Sequence, residues 1–228
     1  MDGRHDNPEE WVTEIFDVIA KADFVRTKYK QNNSDTPFYS VDDYIQIIEE
    51  LTGYEITVTV EDWESYHIRG GCLNYEGNIA KIAVARHRDE DPVHGVTYCD
   101  QRYIAMKEAG QLLIDDDDSY IDNCIEFIND ILVNNISITD FRKPGRSDIF
   151  YGKIFAMELL FPWEYRAKAK AEIENGEKTS YQVAQEFMIP EKELLWFLSE
   201  GLHPQLEHIH SAYEVSMERL EQQYRKDN

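Results

Sequence analysis

Cysteine is scarce in this chain: Cys72, Cys99 and Cys124 are the only three among 228 residues. An odd number with no C-x-x-C spacing excludes a disulfide framework and predicts reduced thiols in a cytoplasmic protein. None of the three has the setting of a metal ligand or nucleophile. Positive charge is also in short supply, with 23 Lys and Arg against 45 Asp and Glu and a formal net charge of -22. Such a chain repels phosphate backbones, so direct nucleic acid binding is not expected, whereas a basic partner would be attracted. No run approaches the ~18 apolar residues that span a bilayer, so no membrane association is expected. The opening MDGRHDNPEE has neither a basic nor an apolar leader region and predicts no secretory signal. Gly70-Gly71 is a turn pair rather than a phosphate-cradling loop, and no Ser/His/Asp order or internal repeat is present.

What is there suffices for a packed core. Hydrophobic residues make up 42% of the chain, including 14 Tyr, 10 Phe and 4 Trp, enough for one sizeable domain or a medium domain plus a small one. Helical spacing of Trp11, Ile15, Val18 and Ile19 predicts a helix from Asn7 to Lys30. After a polar connection, Ser40 and Asp43 form a cap for a helix carrying Val41, Tyr44, Ile45, Ile48 and Leu51, stopped at Thr52-Gly53. Strands are predicted over Tyr54–Val60, with Ile56, Val58 and Val60 sharing a face, and over Gly77–Arg86. Between them Arg69-Gly70-Gly71 reads as a turn, with Ser65–Ile68 or Cys72–Tyr75 as a further short strand.

A helix from about Asp100 to Ile114 ends in Asp115-Asp116-Asp117-Asp118. That acidic run lacks the spaced oxygens and Gly turn of a calcium loop and reads as solvated. A helix over Ser119–Asn134 and a basic loop FRKPGRSD (141–148) follow. Ile149–Leu160 forms a helix stopped by Phe161-Pro162. Tyr181–Phe187, a break at Ile189-Pro190, and Glu191–Ser199 make a short helix–turn–helix pattern, and His203–Tyr224 is a final polar helix.

The segment that carries chemistry is RYIAMKEAGQLLI (102–114). A zinc-protease helix H-E-x-x-H sets two His one turn apart on one face, with Glu between them as general base. Lys107 and Gln111 stand at the two His positions here, and Glu108 stands at the base position. Downstream, Phe155-Ala156-Met157-Glu158-Leu159-Leu160-Phe161-Pro162 supplies a second motif.

Placed in order, these two segments resemble the ImmA/IrrE family of metallopeptidases. In that family an H-E-L-G-H-L-L helix precedes a helix reading A-x-E-L-L-M-P, whose Glu is the third zinc ligand. The helix–strand–strand order before them and VAQEFMIPEKELLWFL (183–198) after them are similar as well, so the likeness covers roughly residues 40–200. The resemblance implies that Glu158 matches the third ligand and Glu108 the general base. Lys107 and Gln111 depart at the first and second ligands.

An ammonium has no lone pair for zinc, and an amide oxygen is a poor zinc donor beside imidazole. The zinc site is therefore expected to be lost, leaving Lys107, Gln111 and Glu158 as vestigial ligand positions and Glu108 as a vestigial base. No cofactor is expected. Without a metal, Glu108 and Glu158 would face each other as buried like charges. Lys107 could offset both, or it could snorkel to solvent.

Rival sites are less specific. His203, Glu207 and His208, with His210 nearby, match no zinc spacing and read as a helix start with surface His. His87 and His94 precede the 100–114 helix and could be recruited to the site, and His67 lies at a strand edge. The would-be recognition helix Glu191–Phe197 is acidic and apolar, which suits packing better than base reading.

The expected fold is α+β. Residues 1–39 would form a helical extension, 40–165 a zincin-like domain with a short mixed sheet, and 166–228 a helical, helix–turn–helix-like subdomain. The resemblance implies a metal-free pseudopeptidase, not an enzyme in its own right, that acts by binding protein. A basic helix–turn–helix repressor or other DNA-binding regulator, of the kind carried by mobile elements, would be its partner. The alternatives are an active zinc peptidase with atypical ligands, an acidic DNA mimic, and a plain structural subunit.

Overall fold

In a computed structural model, residues 8–32, 40–62, 69–86, 96–114 and 147–227 are described. Among them the protein is α+β and mostly helical. Helices α1 (Pro8–Asn32) and α2 (Val41–Thr52) come first, followed by strands β1 (Glu55–Glu61), β2 (Gly70–Glu76) and β3 (Ile79–Ala85). Six helices complete the order: α3 (Tyr98–Ile114), α4 (Ser147–Leu160), α5 (Trp163–Glu174), α6 (Ser180–Phe187), α7 (Glu191–Phe197) and α8 (His203–Asp227). The helix expected over Ser119–Asn134, the Asp115–Asp118 run and most of the 141–148 loop lie outside the described residues. So do Ser65–Ile68, His67, His87 and His94.

The local signals of α2 are realised. The Ser40 hydroxyl accepts a hydrogen bond from the Asp43 amide at 3.3 Å, and Gly53 closes the helix in the left-handed region at φ 74, where a Cβ would be strained. Tyr44, Ile45 and Ile48 are buried as the spacing predicts, and Ile47 joins them.

The sheet is mixed, in the order β1-β3-β2, with β1 parallel and β2 antiparallel to β3. One sequence expectation changes here. Gly70 and Gly71 are not a turn but belong to β2. A Cβ on Gly70 would lie 2.3 Å from Ile104 Cγ2 and 2.9 Å from the Ala83 carbonyl oxygen. Gly70 therefore marks a close approach of α3 to the sheet, a role that glycine inside a strand often has. In β1, Ile56 is buried, but Val58 and Val60 are 37% and 46% exposed, because among the described residues β1 is an edge strand that the helices only partly cover.

The two central helices of the core are α3 and α4. Every residue from Tyr151 to Leu160 is buried, which is the mark of a helix enclosed on all sides. Gly110 lets the two helices meet: a Cβ there would lie 2.3 Å from Phe155 Cδ1. Around this pair one cluster of buried residues runs from Ile15 on α1 through Ile48, Ile82, Met106 and Phe155 to Ile209 on α8.

Helix α5 is not among the helices that spacing predicts. Its buried residues are only Arg166 and Ala169, so it carries no apolar stripe to announce it. The pattern at 181–199 does form two short helices. Thr179 and Gln182 make a reciprocal capping box at the start of α6, and Met188 turns the chain at φ 52 before Pro190 opens α7. Among the described residues no helix is long and apolar enough to cross a membrane.

Candidate functional site

Helix α3 sets Lys107, Glu108 and Gln111 in the interior, with Glu108 and Gln111 each 3% exposed. The Lys107 Nζ lies 2.5 Å from Glu108 Oε1, so the buried Glu108 carboxylate is engaged by its neighbour on α3. Gln111 packs on α4. A Cβ on Gly152 would sit 2.8 Å from Gln111 Cγ and 3.1 Å from the Lys107 carbonyl oxygen.

A second ion pair adjoins the first. Lys153 Nζ is 3.3 Å from Glu193 Oε2 on α7, and the Tyr103 hydroxyl donates to the same oxygen at 3.2 Å. Lys153 also stands 5.0 Å over the Trp196 ring. Burial lowers the Lys153 pKa despite Glu193, and the neighbouring Lys107 charge lowers it further. Burial also drives the Tyr103 phenol well above its ordinary value, with the Glu193 and Glu108 carboxylates adding to it. The hydroxyl therefore acts as a fixed hydrogen-bond donor. Helix α7 thus turns Glu193 inward onto α3 and α4 while Leu195 remains 50% exposed.

Glu158 belongs to different company. Its Oε1 is 2.9 Å from Arg166 Nη1 and 3.0 Å from His210 Nε2. Burial alone would raise this carboxyl, but the Arg166 charge and the His210 hydrogen bond outweigh it and hold the pKa at about 2. The Arg166 Nε donates to the Phe161 carbonyl at 2.9 Å, and its guanidinium lies 5.0 Å from the Phe197 ring. Trp163 stacks on His210 at 4.4 Å and 11° and lies 5.3 Å from His203. Helix geometry separates Glu158 from the Gln111 contact. Six residues beyond Gly152, it lies about 9 Å further along α4 and about 120° around it.

The structure therefore brings Lys107, Glu108 and Gln111 together on α3 and gives Glu158 to α5 and α8. The single cation that would offset two carboxylates is replaced by separate partners, Lys107 for Glu108 and Arg166 with His210 for Glu158. His203 and His210 are not surface residues: they are 7% and 6% exposed, whereas Glu207 and His208 face outward. Seven residues apart, the two His share the stripe of Leu202, Leu206 and Ile209, and that periodicity was the available signal. Lys153, Glu193 and Arg166 carried no such signal, since the first two are partners 40 residues apart and Arg166 lies on an unpredicted helix. Among the described residues no group of three or more His, Cys, Asp or Glu side chains is arranged to hold a metal ion.

Comparison of the chain with protein-family models, with curated proteins and with solved structures gives no match. Fold and site together define an α+β protein with a buried, charge-paired centre between two core helices.

Proposed function

We propose that this protein is a metal-free relative of the ImmA/IrrE peptidases that acts by binding protein, with a zincin-like core and α6–α7 as its helix–turn–helix-like part. The observation that carries this reading is the 2.5 Å contact between Lys107 and Glu108. In a zinc peptidase the base must be free to take a proton from metal-activated water. Here an ammonium bound to that carboxylate stands at the first ligand position.

The donor set does not fit zinc. Lys107 has no lone pair while charged, Gln111 offers an amide, and Glu158 is bound by Arg166 and His210. No hydrolytic step is derived from such a set. The partner that suits a net charge of -22 is basic, and a DNA-binding regulator of the helix–turn–helix class has that character.

The test uses protein purified without chelator, mixed with a purified helix–turn–helix repressor and scored for complex formation, cleavage and zinc content. The expected result is a complex containing intact repressor, with zinc far below one per chain. Near-stoichiometric zinc, or cleavage that chelator abolishes, would overturn the proposal in favour of a working peptidase.

A further inference from the structure

The outer edge of β1 offers a surface that the centre between α3 and α4 does not use. The Glu55 amide donates to Asn78 at 2.8 Å, and the Glu61 carbonyl accepts from the Arg86 amide at 2.9 Å. Residues 55, 57, 59 and 61 therefore direct their backbone groups toward β3, in the parallel register Glu55↔Ile79 to Glu61↔Ala85. By the alternation of a strand, residues 56, 58 and 60 direct theirs away from it. The Ile56 amide is met by Glu49 Oε1 at 2.6 Å. The amides and carbonyls of Val58 and Val60 point outward, and among the described residues no strand pairs with them. Their side chains are 37% and 46% exposed.

Natural edge strands are usually blunted by proline, an inward-pointing charge, a bulge or extreme shortness. The sequence EITVTVE has none of these between its terminal acids, and its register with β3 has no shift. What remains is a short, regular template for one more strand.

We propose that β1 docks an extended, basic segment of a partner protein, which adds to the sheet beside Val58 and Val60. Charge selects the occupant. Antiparallel pairing of two copies about Val58 would set Glu55 opposite the other copy's Glu61, a like-charge pairing that destabilises a ladder. Two chains of net charge -22 would also repel at longer range. A segment with Lys or Arg flanking β-branched residues meets the opposite situation. It finds Glu55 at one end of the strand, Glu61, which Lys81 meets at 3.6 Å, at the other, and apolar side chains at its centre. This surface is separate from the Lys107–Glu108 centre, so it stands whether or not the peptidase likeness holds.

The test is fluorescence polarisation with a short labelled peptide alternating Lys and Val. Its controls are an acidic Glu/Val counterpart and a Lys/Val peptide of the same charge methylated on alternate backbone nitrogens. Val58→Pro serves as the protein variant, because its amide faces outward and proline is tolerated at such an edge position. Val58→Pro and the methylated peptide should each weaken binding by about tenfold or more, a loss of at least ~1.4 kcal/mol. The acidic peptide should not bind, and the melting temperature of the variant should match that of the parent. Equal binding of the methylated and plain basic peptides would reduce the effect to unspecific charge attraction and overturn the proposal. The methylated peptide decides the matter even if the proline variant fails to fold. Sedimentation of the parent as a dimer that Val58→Pro dissolves would overturn it in favour of pairing between copies.

Discussion

The Glu158 carboxylate and the Arg166 guanidinium meet at 2.9 Å with the two side chains 4% and 0% exposed. Arg166 Nε also donates to the Phe161 carbonyl at 2.9 Å, so one side chain neutralises Glu158 near the end of α4 and binds the backbone just before Pro162. Removing one member of a buried pair leaves the other charge desolvated without compensation, at a cost of about 3–5 kcal/mol. Arg166→Met leaves Glu158 with His210 and should lose up to about that much stability in urea denaturation. Replacing both partners, as Glu158→Leu with Arg166→Met, should cost less than the single change. A double-variant loss equal to the sum of the Glu158→Leu and Arg166→Met losses would show that the pair is not coupled.

The same carboxylate predicts an acid limb in the stability profile. Its folded pKa of about 2 lies below the ordinary 4.5, so the unfolded chain binds the proton more readily. Stability from this group is fully present above about pH 4.5 and is lost as pH falls toward 2. The interval corresponds to about 3 kcal/mol. Urea midpoints measured between pH 6 and pH 2.5 should fall steeply for the parent. They should fall less steeply for Glu158→Gln, which starts lower and has lost the titrating group. Parallel curves for the two proteins would contradict the assignment.

Lys107 gives a prediction about metal. Lys107→Met leaves the buried Glu108 carboxylate without its ammonium and should lower stability by about 2–3 kcal/mol. Introducing two imidazoles, as Lys107→His with Gln111→His, should give only weak zinc binding by calorimetry. A tight site needs a third protein donor, and Glu158 remains with Arg166 and His210. Tight, one-to-one zinc in the double variant would mean that Glu158 can leave its partners for the α3 site.

Much of the scaffold was legible because local chemistry and periodicity agreed. The Ser40 cap and Gly53 stop bound α2, the alternation of residues 54–60 gave β1, and Pro190 marked the break before α7. Where the local signal misled, a tertiary contact had overridden it. Gly70 resembles a turn residue until Ile104 and Ala83 are seen against it. The α5 segment, WEYRAKAKAEIE, looks like a surface stretch because its main buried side chain is an arginine. The site divides in the same way. Lys107, Glu108 and Gln111 could be placed from their spacing on one helix. The allegiance of Glu158 could not, because Arg166 and His210 reach it from two other elements.

Gly110 supplies the last prediction, and two opposing effects decide its sign. Alanine in place of glycine inside a helix gains about 1 kcal/mol from propensity. At this position the new Cβ would lie 2.3 Å from Phe155 Cδ1 and 2.9 Å from Cγ and Cε1, contacts closer than packed atoms allow. Phe155 is 0% exposed, so its ring has nowhere to move without displacing α4. Overpacking of this kind costs typically about 1–3 kcal/mol, and this steric cost should outweigh the gain in propensity. Gly110→Ala should be destabilised by up to about 2 kcal/mol net in urea denaturation. Adding Phe155→Ala, which removes Cγ, Cδ1 and Cε1, should cost less in the Gly110→Ala background than in the parent. If Gly110→Ala instead raised stability, α3 and α4 would not approach as closely as their packing here requires.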